Sequence, residues 1–183
     1  MATEVEVKIL DVDPAAIKAG MAMIGAEKIS EERLKADWYI PAEWVMSADE
    51  MPWYVRIRTS SPGGQVEITW KNKHVHQDGA RVHEEINLCA DDALKADQFL
   101  RAVGMISRAH QEKDRLTWTL EDWIFCLDTY PGMPSWLEIE GRDGTHIREA
   151  VSMLGLEEYE STFDGERVVI STKYGLDWYD MRF

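Results

Sequence analysis

The chain has 183 residues, an apolar fraction of 45% and eight Trp, which suits one folded domain over residues 1–183 with a sizeable core and excludes a disordered chain. Its formal net charge of −14 disfavours a general nucleic-acid partner, because an acidic surface repels phosphate backbones. No apolar run reaches membrane-spanning length and the N-terminus lacks a charged-then-apolar leader, so no membrane partner is expected and the expected location is the cytoplasm.

Successive side chains of a strand point to opposite faces. Glu4-Val5-Glu6-Val7-Lys8 therefore reads as a strand with Glu4, Glu6 and Lys8 on one face and Val5, Val7 and Ile9 on the other. A helix follows from Asp13-Pro14, a capping residue and a first-turn proline, to Gly25, with Ile17, Met21 and Ile24 at helical spacing. Pro41–Pro52 is acidic, aperiodic and reads as a loop. Tyr54, Arg56 and Arg58 share a strand face. After a turn at Ser61–Gly64, Val66, Ile68 and Trp70 oppose Glu67, Thr69, Lys71 and Lys73. A turn at Asp78-Gly79 leads to Arg81, His83, Glu85 and Asn87 against Val82, Ile86 and Leu88, with Glu84 out of phase.

A second helix spans Asp91-Asp92 to Gly104, with Leu94, Phe99, Leu100 and Val103 as its apolar positions. Lys113, Arg115 and Thr117 alternate with Leu116 and Trp118, and Trp123, Phe125 and Leu127 with Ile124, Cys126 and Asp128. Beyond the turn at Tyr130–Pro134, Leu137 and Ile139 alternate with Trp136, Glu138 and Glu140. A third helix runs from Gly144-Thr145 to Gly155 and buries Ile147, Val151 and Leu154; the Met residues of the helices read as packing against the sheet. Cys89 and Cys126 lack metal-ligand spacing and read as reduced core thiols.

The polar strand faces are not a mixed solvated surface. Arg and Lys stand in pairs at i, i+2 on the middle strands, and Glu pairs on the first strand and on Trp136–Glu140. A flat sheet with a solvated charged face is the plain explanation. The pairing favours a sheet rolled with charge inward and its apolar faces outward under helices, and larger barrels do enclose ligand cavities.

In this order, Glu4-x-Glu6-x-Lys8, Arg56-x-Arg58, Lys71-x-Lys73, Lys113-x-Arg115 and Trp136-Leu137-Glu138-Ile139-Glu140-Gly141 resemble the CYTH superfamily over nearly the whole chain. These are the triphosphate tunnel metalloenzymes, which include class IV adenylyl cyclases, thiamine triphosphatases and inorganic tripolyphosphatases. Asp37-Trp38-Tyr39, Asp128 with Tyr130-Pro131-Gly132, and Lys173-Tyr174-Gly175, similar to the segment that closes the tunnel, extend the likeness.

The resemblance implies an α+β fold, a closed eight-stranded antiparallel barrel with helices packed outside, whose lumen binds a triphosphate and Mg²⁺ or Mn²⁺. It implies that Lys8, Arg56, Arg58, Lys71, Lys73, Arg81, Arg115 and Lys173 hold phosphate. Glu4, Glu6, Glu138 and Glu140, with Asp128 or Glu85, would hold metal. Tyr39 and Lys113 match a Tyr–Lys dyad in which the lysine, its pKa lowered by neighbouring cations, accepts a proton; Tyr39 as a core tyrosine and Lys113 as a plain clamp are the alternatives. His83 stands where related members carry Glu, so the metal number stays open, while His74, His76, His110 and His146 read as surface residues.

Three functions follow. The first is hydrolysis of tripolyphosphate or a nucleoside triphosphate, with thiamine triphosphate as a further small-molecule partner. The second is cyclisation of ATP by a class IV-type adenylyl cyclase, for which Tyr54 would stack on a base or a thiamine ring, or Trp38 or Trp53 from the rim; outer-face packing against helices is the alternative for each and the favoured reading for Trp53. The third is a non-catalytic triphosphate or polyphosphate sensor. Family members are monomers or homodimers.

Overall fold

The alternating segments all become strands of one sheet. The computed structural model describes residues 2–44, 52–72, 75–77 and 80–183, with side chains described for 5–44, 52–72 and 84–183. In chain order the elements are β1 (Ala2–Val12), α1 (Pro14–Ile24), β2 (Glu27–Pro41), β3 (Trp53–Ser61), β4 (Val66–Asn72), β5 (Val75–Gln77), β6 (Ala80–Ala90) and α2 (Ala93–Ala102). There follow β7 (Met105–Leu120), β8 (Trp123–Thr129), β9 (Ser135–Gly141), α3 (Gly144–Met153), β10 (Ser161–Thr162), α4 (Glu166–Thr172) and β11 (Asp180–Met181).

Ten strands pair antiparallel in the order β10-β1-β9-β8-β7-β2-β3-β4-β6-β5, and the short β11 adds in parallel to β7. β1 pairs with β9 through Val5–Val12 and also with β6 through Ala2–Glu6, so β1 contacts both flanks of the sheet. No described helix is long and apolar enough to cross a membrane.

The outer face carries the apolar residues, as the alternation implies. Val7 and Ile9 of β1, Phe125 and Leu127 of β8 and Leu137 and Ile139 of β9 pack against Ile17 and Met21 of α1 and Ile147 and Ala150 of α3. Asp13 starts α1 by accepting from the Ala15 N–H at 3.0 Å, Pro14 occupies the first turn, and Gly25 ends the helix at φ 74, a left-handed conformation that glycine adopts without Cβ strain. Asp92 and Asp143 cap α2 and α3 in the same way. At Gly141 a Cβ would stand 2.9 Å from His146 Nδ1, so only glycine lets α3 sit this close to the end of β9.

α2 covers β3 with Ala96 and Leu100, over Val55, Ile57, Val66 and Tyr39. Of the expected apolar positions of α2 only Leu100 is buried, while Leu94, Phe99 and Val103 are exposed, as is Met23 of α1. On β6, Ile86 and Leu88 are also exposed. Cys126 is buried as expected, whereas Cys89 is exposed. His146 is buried and stacks on Trp123 at 4.1 Å rather than lying on the surface. Glu84, out of phase in sequence, points outward and accepts from Asn72 Nδ2 at 3.0 Å.

A third cluster joins Leu10, Ala36, Trp38, Tyr130 and Trp136 to Val169 and Ile170 of α4 and to Trp178. This docks the C-terminal segment on the side of the sheet where Trp38 and Trp178 border the cavity described below. Sequence periodicity misses α4, β10, β11 and the full length of β2. The Phe125 side chain is fully buried, so Phe125→Ala should lower the unfolding free energy by about 3–5 kcal/mol, measured by chemical denaturation.

Candidate active site

The inner strand faces line a cavity of about 580 Å³. Among the described residues its wall holds seven basic side chains, Lys8, Arg56, Arg58, Lys71, Lys113, Arg115 and Arg167. It also holds seven carboxylates: Glu6, Glu32, Glu67, Glu85, Glu138, Glu140 and Glu166. Charges taken out of water are tolerated only when paired and hydrogen-bonded, and the sheet register supplies much of that pairing.

Cross-strand neighbours share a face, and oppositely charged pairs recur on the wall: Lys8 with Glu138, Arg58 with Glu67, Lys71 with Glu85, and Arg115 with both Asp128 and Glu32. Arg58 Nη2 lies 2.7 Å from Glu67 Oε1, and Lys71 Nζ 2.8 Å from Glu85 Oε2. Lys8 Nζ donates to Glu6 Oε1 at 3.1 Å and lies 3.5 Å from Glu138 Oε1. Arg115 grips the fully buried Asp128 with two bonds of 2.6 Å and reaches Glu138 through Nη2. Lys113 Nζ donates to Asp128 Oδ2 at 2.7 Å and to Glu166 Oε1 at 2.8 Å. Glu6 stands opposite Glu140, so two carboxylates also meet in register on β1 and β9.

These neighbours set the ionisation of the site. Burial opposes charge on Glu138, but Lys8, Arg115 and Lys113 outweigh it and hold its pKa down to about 2. Burial likewise opposes charge on Glu166, yet Lys113, Lys8 and Arg56 leave it well below the usual carboxylate range. Burial and the neighbouring Arg56 lower Arg58, while burial lifts the Cys126 thiol to about 12. Burial pushes Arg115 down, but Asp128 and Glu138 more than restore it.

Of the residues expected in the site, Glu6, Lys8, Arg56, Arg58, Lys71, Glu85, Lys113, Arg115, Glu138 and Glu140 line this one cavity. Asp128 lies behind its wall as the partner of Lys113 and Arg115. The side chains of Glu4, Lys73, Arg81 and His83, and with them His74 and His76, lie outside the described residues. Lys173 does not join the cavity: its ammonium is held by Glu160 at 2.6 Å and Asp11 at 2.9 Å.

The expected Tyr39–Lys113 pairing does not form. Tyr39 packs on the outer face under α2 and donates to Asp97 Oδ1 at 2.7 Å, while Lys113 points inward. Burial and Asp97 both push the Tyr39 pKa up, which keeps it a neutral donor. His110 is partly buried between Asp37 at 2.8 Å and Glu112 at 3.5 Å.

The structure adds residues that alternation alone does not nominate. Glu166 and Arg167 arrive on α4, Glu32 on β2, and Trp178 on the C-terminal segment, whose backbone carbonyl at Trp178 accepts from Gln111 Nε2 at 3.1 Å. Trp38, Tyr54 and Trp178 form an aromatic corner of the cavity, with ring centroids 4.5 and 5.1 Å apart about Trp38. Trp53 packs outward near Val55 and α2, in line with its favoured reading. Asp128, Glu138 and Glu166 each bring a carboxylate oxygen within 4.8 Å of the others.

No family model and no curated protein matches the chain. Solved structures do. The PH1012 protein of Pyrococcus horikoshii superposes with a TM-score of 0.71 at 22% identity, covering 86% of this chain and 94% of its own. A candidate adenylate cyclase from Vibrio parahaemolyticus gives 0.71 at 16% identity over 92% of this chain and 98% of its own. HpAC1 from Hippeastrum, a candidate adenylyl cyclase with a dominant triphosphatase activity, gives 0.70 at 14% identity over 94% of this chain and 96% of its own. The chain shares their fold, and the CYTH resemblance carried by the motifs is borne out at that level.

Two outcomes are expected. Tyr39→Phe should lose about 1 kcal/mol of stability in denaturation. Because Glu138 titrates lower in the folded chain than its ordinary 4.5, its stabilisation is complete above about 4.5 and is lost as pH falls toward 2. Unfolding free energy measured across that window should fall with pH in the wild type, and Glu138→Gln should flatten that part of the slope.

Proposed function

We propose that this chain is a metal-dependent triphosphate hydrolase that cleaves the phosphoanhydride of tripolyphosphate or a nucleoside triphosphate. In this reading the ring β1-β9-β8-β7-β2-β3-β4-β6 works as a closed eight-stranded antiparallel tunnel. The carrying observation is the convergence of six strand-borne cations with Glu6, Glu138 and Glu140 on one cavity wall.

Phosphoryl transfer asks a protein mainly for positioning and charge neutralisation. Arg56 and Arg58 offer forked donors, and the buried Arg56 Nε–H makes no hydrogen bond among the described residues, so a phosphate oxygen would satisfy it. Lys71 and Lys8 add point charges, and Glu67 and Glu85 hold Arg58 and Lys71 in place through the ion pairs above. Lys113 and Arg115 are oriented by Asp128. With Tyr39 on the other face of the sheet, Lys113 enters this reading as a phosphate holder rather than half of a dyad.

The donors fit a hard divalent cation. They are carboxylate oxygens alone, and Glu6, Glu138 and Glu140 come to one wall from the adjacent strands β1 and β9. Glu6, Glu138 and Glu140 would hold Mg²⁺ or Mn²⁺, which supplies charge neutralisation at the phosphate oxygens. The aromatic corner of Trp38, Tyr54 and Trp178 favours a second reading, an adenylyl cyclase with a base stacked there. The triphosphatase activity of the Hippeastrum neighbour supports placing hydrolysis first.

Product analysis by ³¹P NMR with tripolyphosphate, ATP and thiamine triphosphate, each with Mg²⁺ and Mn²⁺, decides between them. Orthophosphate is expected; cyclic AMP with pyrophosphate would make the chain a cyclase, and metal-dependent binding without product a sensor. Glu6→Ala should cost about 10–100-fold or more in turnover while retaining tripolyphosphate binding by calorimetry. Arg58→Ala should weaken that binding directly.

A further inference from the structure

Glu166 is set apart from every other carboxylate of the cavity wall described. Glu6, Glu32, Glu67, Glu85, Glu138 and Glu140 stand on hydrogen-bonded strands, whereas Glu166 opens the seven-residue α4. Gly165 precedes it, and no side chain caps that helix start. Yet this carboxylate crosses into the cation set, with Oε1 2.8 Å from Lys113 Nζ. Farther along α4, Val169 and Ile170 anchor the helix in the cluster with Trp136 and Tyr130.

Resting on the triphosphate reading above, we propose that Glu166 is a built-in competitor for the phosphate clamp. Its carboxylate occupies Lys113 until a polyphosphate displaces it, and the start of α4 turns outward about Gly165. Lys113 has one partner fixed on a strand, Asp128, and one that can leave. A highly charged anion would meet repulsion from Glu166 if it stayed. A latch of this kind lowers apparent affinity by the fraction of molecules in the unlatched state. It also selects for ligands with enough charge to break the Glu166–Lys113 pair, favouring triphosphates over monophosphates.

The test compares tripolyphosphate binding by calorimetry, with EDTA present, for the wild type, Glu166→Gln and Glu32→Gln. Glu166→Gln should bind about 10–100-fold tighter, as removal of a latch requires, and Glu32→Gln, which deletes the same charge from a strand, should tighten less. Hydrogen exchange in the wild type should quicken at residues 166–172 when tripolyphosphate saturates the protein. Mn²⁺ binding measured alone should be unchanged in Glu166→Gln. Equal tightening in the two variants would reduce the effect to general repulsion. No tightening, slowed exchange of α4, or lost Mn²⁺ affinity, which would make Glu166 a metal ligand beside Asp128 and Glu138, would each overturn the proposal. If neither the wild type nor Glu166→Gln binds tripolyphosphate with EDTA or with Mg²⁺, the triphosphate reading itself falls; if the wild type binds and cleaves it and Glu166→Gln gains nothing, only the latch is lost.

Discussion

The structure depends on keeping charge compensated where water is scarce. A sheet that turns Lys8, Arg115, Asp128 and Glu138 away from solvent must give each a partner, since an unpaired buried charge costs several kcal/mol. The partners come largely from strands directly opposite in register, so a slip of one residue on β1 would separate Lys8 from Glu138 and turn Lys8 toward the apolar outer face. The arrangement that pairs the charges also aims them into one cavity.

Turning charge inward leaves the outer faces of β1, β8 and β9 apolar, and α1 and α3 exist to cover them. Each helix begins at an aspartate that accepts backbone N–H bonds, which fixes where it leaves the sheet. The C-terminal segment does the opposite work. It sends Trp178, Glu166 and Arg167 to the cavity side, so a wall built by strands is completed by elements with no place in the strand alternation.

Legibility followed the local period. The strands with clean alternation, the three capped helices and ten of the cavity side chains are readable from spacing of two and of three to four residues. β2 was harder, because its first nine residues, Glu27–Lys35, carry six charges, and its register shifts at Lys28/Ser30 and Trp38/Tyr39. Once β2 is known to run through Tyr39, period two puts Trp38 inward and Tyr39 outward; without that strand both look available to the cavity. α4 escaped notice because Glu-Arg-Val-Val-Ile-Ser-Thr is short and rich in β-branched residues, which carry little helical preference. His146 read as a surface residue, yet close packing of α3 on Gly141 buries it.

By itself the sequence determined which faces are charged and which apolar, where three helices begin and which residue types could hold phosphate and metal. Those are properties of neighbours a few bonds apart, written in a period that the backbone geometry makes unavoidable. Only the tertiary structure decided which charges meet: Arg115 with Asp128 and Glu138, Lys113 with Asp128 and Glu166, and Tyr39 with Asp97 rather than Lys113. Those contacts join residues 13 to 58 positions apart, and register, bulges and the docking of a C-terminal helix set them, none of which any local pattern encodes.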